Sequence, residues 1–102
     1  MKTIILNKEF EGPYLSLSDI KTKAGVFVVV TEAYGLSPCR ILDTGESGNI
    51  RSMLSKHRRE SSWKKNSAGS PKFLAYYEQN TDLRRQLKNQ IKREFNPICT
   101  YS

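Results

Sequence analysis

The sequence predicts an α+β fold. It is a small sandwich in which a central, mainly antiparallel three-stranded sheet is flanked by helices, with an extra strand at the N-terminus. Three observations predict this. Val26 to Thr31 is an unbroken run of β-branched and aromatic residues, the composition of a buried strand. Tyr34-Gly35-Leu36-Ser37-Pro38 then forms a loop of hairpin length before Cys39 to Asp43. A connection that short cannot cross over, so the two strands run antiparallel. Further on, Ile50, Met53, Leu54 and His57 recur at helical spacing, and so do Leu83, Leu87 and Ile91.

Taken in order, Thr3 to Phe10 alternates loosely and reads as the first strand, ended by Gly12-Pro13. Residues 14–24 read as a loop with a turn of helix near Ser18-Asp19-Ile20. The strands Val26–Thr31 and Cys39–Asp43 follow. Gly45 and Gly48 loosen the next turn, and Ser47 or Asn49 caps a helix at about 49–60. Ser61 to Pro71, rich in Ser, Asn, Gly and Pro around Trp63, reads as a loop. Lys72 to Glu78 is the third strand of the sheet. Asn80 or Thr81 caps a second helix at about 81–94, with Asp82 placed to complement its dipole. Asn96-Pro97 ends it.

The 102 residues fit one domain, 1–102, and 37% hydrophobic with 26% charged residues is ordinary for a folded chain. No apolar run approaches the roughly 20 residues of a membrane span, and Met1 to Leu6 is too short in apolar length for a signal peptide. Cys39 and Cys99 make neither a disulfide framework nor a metal box, so a cytoplasmic setting is expected. The net charge of +7 is unevenly placed. Residues 1–47 carry five Lys/Arg against six Asp/Glu, a balance of −1, and residues 48–102 carry twelve against four, a balance of +8. A basic second half is the electrostatic footprint of a phosphate-rich partner, although a merely solvated basic surface has the same composition.

The order of short motifs narrows this. Gly25-Val26-Phe27 opens one strand, and Asp43-Thr44-Gly45 closes the next. The turn Gly45-Glu46-Ser47-Gly48-Asn49-Ile50 leads to a helix ending in Leu54-x-x-His57. A Tyr76-Tyr77 strand, a second helix and Asn96-Pro97 follow. No single piece is specific, but together and in this order they resemble the GIY-YIG nuclease family, in particular a compact bacterial branch. The resemblance covers about residues 24–98, leaving 1–23 as an N-terminal extension. It implies phosphodiester hydrolysis. In active members a tyrosine and an arginine position the phosphodiester, and a glutamate on the second helix holds one divalent metal, Mg or Mn, as Lewis acid.

Carried onto this chain, those groups are missing. The first-motif tyrosine falls on Phe27, the second on Asp43, the arginine on Met53 and the metal glutamate on Lys88. An ammonium repels a divalent cation where an oxygen ligand is needed. Glu46, His57 and Asn96 stand as remnants of the site. Arg51 lies about 200° round the helix from Met53, and Glu94 lies about 600° beyond Lys88, so neither replaces what is lost. Asp43 and Glu46 read as hairpin-end and helix-start acids rather than relocated metal ligands. His57 reads as a packed ring more readily than as a general base.

The expected function is therefore a catalytically degenerate GIY-YIG-like domain, a pseudoenzyme without cofactor, that binds DNA or RNA through a basic surface. Its candidate phosphate contacts are Arg51, Lys56, Arg58, Arg59, Lys64, Lys65, Arg84 and Lys88. Trp63, set among cations, either stacks a base or covers the core, and the second reading is favoured. Arg84, Lys88 and Lys92 form an i, i+4, i+8 stripe that is either a solvated face or added charge for the former active-site region. The alternatives are an active metal-dependent endonuclease with relocated groups, and a protein-interaction module that meets an acidic partner.

Overall fold

The computed structural model describes residues 2–31, 40–57, 60–66 and 70–95, the side chains of Arg40 and Asn66 excepted. The Tyr34–Pro38 loop, Cys39, Arg58, Arg59 and Asn96-Pro97 lie outside the described residues. The fold is α+β, as expected, but its antiparallel sheet has five strands in the order β1-β2-β5-β3-β4. These are β1 (Lys2–Ile5), β2 (Lys8–Tyr14), β3 (Gly25–Thr31), β4 (Arg40–Ser47) and β5 (Lys72–Tyr77). Three helices complete it: α1 (Ile50–Ser55), α2 (Glu60–Asn66) and α3 (Thr81–Phe95).

The expected single N-terminal strand is a hairpin. Ile5 pairs with Lys8 across Leu6-Asn7, whose φ angles of 50° and 66° are both left-handed. Positive φ at both central residues is the signature of a type I′ turn, which matches the twist of its strands. Asn tolerates that region and Leu does not, so the turn carries no sequence signal on its first residue. Gly12-Pro13 does not end the strand either. Glu11 pairs with Ala75 and Tyr14 with Phe73, so one extra residue of β2 is absorbed in a bulge. Gly12 sits there at φ 112°, and a Cβ on it would lie 2.6 Å from the Phe73 carbonyl oxygen.

β3 lies between β4 and β5, and every one of its residues is buried. Its alternation serves two cores. Phe27 and Val29 face Leu42, Ile50, Leu54 and Trp63 on the α1/α2 side. Val26, Val28 and Val30 face Phe10, Leu74, Leu87 and Ile91 on the α3 side. A strand covered on both faces reads as continuous apolar sequence, as this one does. β4 carries a bulge: Val29 pairs with Asp43 and Val30 with Ile41, leaving Leu42 as the extra residue. Both Leu42 and Asp43 are buried there, and their side chains join the α1/α2 side.

The helices depart from the expected spans for local reasons. Asn49 caps α1, its side chain accepting the Ser52 N–H at 3.1 Å. α1 ends at Ser55 rather than running to 60, so His57 lies beyond it, and only Ile50 and Leu54 of the expected stripe are buried within it. Met53 is 41% exposed. α2 occupies a segment expected to be a loop. It holds a single large apolar residue, Trp63, and so shows no periodicity; burying that one ring is what tertiary packing contributes to it. Asn80 caps α3, accepting the Leu83 N–H at 3.1 Å. The buried face of α3 is Arg84, Leu87 and Ile91, with Leu83 49% exposed.

Candidate functional site

Beside strand β4, between the α1 and α3 segments, lies an open cavity of about 430 Å³. Phe27, Thr44, Gly45 and Glu46 form its sheet side. Met53, Lys56 and His57 come from α1 and the residues just after it, and Lys88 and Lys92 from one face of α3. Gly45 is required by the floor, because a Cβ there would lie 2.5 Å from Cζ of the Phe27 ring. The His57 ring meets Phe27 edge-on at 5.7 Å between centroids and lies tilted on Trp63 at 4.6 Å. Two aromatic contacts thus set the orientation of His57, in keeping with a packed ring.

The cavity is cationic. Among the described residues Lys56, Lys88 and Lys92 have no carboxylate partner. Its one carboxylate, Glu46, is already neutralised. Arg84 donates from Nε to Glu46 Oε2 at 2.8 Å, and Arg85 Nε lies 3.8 Å from Oε1. Arg84 is 7% exposed and has further work. It donates to the carbonyls of Glu78 at 3.2 Å and Gln79 at 2.8 Å, and to Oγ1 of Thr81 at 3.2 Å. It ties the β5–α3 connection to β4, so the expectation that it contacts phosphate is corrected: it is buried and four of its five N–H donors are engaged inside the fold.

Trp63 is likewise corrected as a stacking residue. It is 1% exposed, and its indole N–H donates to Asp43 Oδ2 at 2.9 Å. Asp43, 0% exposed, also accepts its neighbour Thr44's N–H through Oδ1 at 2.8 Å. A buried charge needs such donors, and Asp43 spends its carboxylate on the α2 packing rather than on the cavity.

Of the four positions on which the resemblance would put catalytic residues, Phe27, Met53 and Lys88 line this cavity and Asp43 does not. Glu46 and His57 line it too, and Asn96 lies outside the described residues. Of the expected phosphate contacts, Lys56 and Lys88 are in the cavity. Arg51 is half-buried outside its lining. Lys64 pairs with Glu60 at 3.1 Å on the exposed side of α2, and Lys65 is exposed beside it. Lys92 belongs to the site as well, and its signal was the i+4 spacing from Lys88. The contribution of Arg85 to Glu46 had no such signal.

A divalent ion does not fit the described residues of the cavity. Lys88 lines the cavity as a cation, Glu46 is held by two guanidinium groups, and Asp43 bonds Trp63. Among the described residues no group of three or more His, Cys, Asp or Glu comes together. Among them, too, no helix is long and apolar enough to cross a membrane. No family model, curated protein or solved structure matches the chain.

Proposed function

We propose that the chain is a GIY-YIG-like domain that has exchanged nuclease chemistry for nucleic-acid binding, and that it works in the cytoplasm. The observation that carries this reading is the cavity itself. It is lined by three lysines that have no carboxylate partner among the described residues, in the place where the resemblance puts a phosphodiester and its metal. The strand order around β3, with α1 following β4 and α3 following β5, supports the same resemblance. Lysines that converge without acidic partners attract phosphate and release its counterions on binding. Lys64 and Lys65 are further exposed cations on α2, Lys64 paired with Glu60.

Two measurements test this. Plasmid, single-stranded DNA and structured RNA incubated with Mg²⁺ or Mn²⁺ should be cut no faster than in buffer. Fluorescence titration of labelled oligonucleotides should show binding that weakens linearly in log–log form with salt, by about 0.7–0.9 in slope per phosphate contacted. Robust cutting lost in Glu46→Ala protein would replace the reading with an active endonuclease. Absence of binding at low salt would pass the basic face to an acidic protein partner.

A further inference from the structure

We propose, building on the nucleic-acid reading, that the cavity seats the terminal phosphate of an oligonucleotide end rather than an internal phosphodiester. Lys56 reaches it from the end of α1, and Lys88 and Lys92 reach it from successive turns of α3. Lysines from two separate elements therefore line one concavity instead of following one another along a track. An internal phosphodiester carries one negative charge and must run on in both directions. A terminal phosphomonoester carries about −1.5 to −2 at neutral pH and presents three acceptor oxygens, which matches three cationic donors better.

The charge of the cavity depends on Glu46 being cancelled, and the buried Arg84 pair at 2.8 Å does this. The wall suits what is attached to the phosphate. Met53 is an exposed thioether, and the His57 ring is held in place by Phe27 and Trp63, so a terminal sugar and base have an apolar and aromatic surface beside the cations. A volume of about 430 Å³ falls in the range of small-ligand sites, roughly 300–1,000 Å³, enough for one terminal nucleotide rather than a length of strand.

The test uses three short single-stranded oligonucleotides of one sequence, bearing a 5′-phosphate, a 3′-phosphate or hydroxyls at both ends, titrated against the full chain by fluorescence anisotropy. One phosphate-ended form is expected to bind roughly tenfold tighter than the hydroxyl-ended form. The Lys88→Gln/Lys92→Gln protein is expected to lose that preference. Lys64→Gln/Lys65→Gln protein should bind all three more weakly and keep the ratio. Equal affinity of the wild type for all three, or a ratio that survives Lys88→Gln/Lys92→Gln, overturns the end-seating while leaving nucleic-acid binding intact. No binding to any of the three at low salt overturns both.

Discussion

Arg84→Met removes the guanidinium that joins β4 to the start of α3 while keeping most of the aliphatic stem. Four interactions go at once: the 2.8 Å bond to Glu46, the two carbonyl bonds at 3.2 and 2.8 Å, and the Thr81 contact at 3.2 Å. Removing one partner of a buried pair costs about 3–5 kcal/mol, because the other charge is left without compensation. Here the Glu46 side chain is 16% exposed and Arg85 stays within 3.8 Å, so the lower end applies, about 3 kcal/mol. For a domain of this length that is a fall in Tm of more than about 12 °C. The assay is urea unfolding followed by circular dichroism on Arg84→Met, Glu46→Gln and the double variant. The two single changes share one bond, so the double should cost less than their sum by about 1–3 kcal/mol. A loss under about 1 kcal/mol for Arg84→Met, or additivity within about 0.5 kcal/mol, would refute the assignment of Arg84 as a buried tie. The same variant frees the Glu46 carboxylate inside the cavity, so its residual folded fraction should bind oligonucleotides more weakly than wild type.

Trp63→Phe withdraws the donor at 2.9 Å from the buried Asp43 carboxylate and should cost about 2 kcal/mol in unfolding experiments, with the salt slope of oligonucleotide binding unchanged. A lower slope would mean that Trp63 touches nucleic acid after all. Gly45→Ala puts a methyl 2.5 Å from the Phe27 ring and should destabilise by about 1–3 kcal/mol, read as a shift in the urea midpoint. Asn7→Ala puts a residue that resists the left-handed region at φ 66° in the β1–β2 turn and should lower stability by about 1 kcal/mol, visible as a lower Tm. Burial lifts the Tyr77 phenol above its ordinary 10.0, with opposing help from the Lys21 N–H bond and further lift from Glu11 and Tyr14. The raised value favours the protonated phenol in the fold. Its contribution is therefore complete below pH 10 and is lost as pH rises through the folded value, so Tyr77→Phe should flatten the alkaline limb of the stability profile.

What the chain declares in its own sequence is what local physics dictates. β3 is legible because six consecutive β-branched or aromatic residues fit only a strand buried on both faces. β5 and α3 are legible because periodicity acts within a few residues, and capping narrows each helix start to two candidates, Ser47 or Asn49 and Asn80 or Thr81, of which the fold uses Asn49 and Asn80. The cationic character of the second half is read by counting. The first hairpin was hidden because Leu6 takes a left-handed φ with no glycine to announce it. The bulges in β2 and β4 were hidden because an extra residue shows only against its partner strand. α2 has no stripe, only Trp63, whose bond to Asp43 spans 20 residues. The Arg84–Glu46 tie spans 38. Sequence places Arg84, Lys88 and Lys92 on one stripe, yet the fold sends the first inward to bind carbonyls and a carboxylate and leaves the other two facing a cavity beside Lys56. A side chain's charge is written in its covalent structure, whereas whether that charge is spent internally or offered to a partner depends on which distant groups the backbone brings within about 3 Å of it.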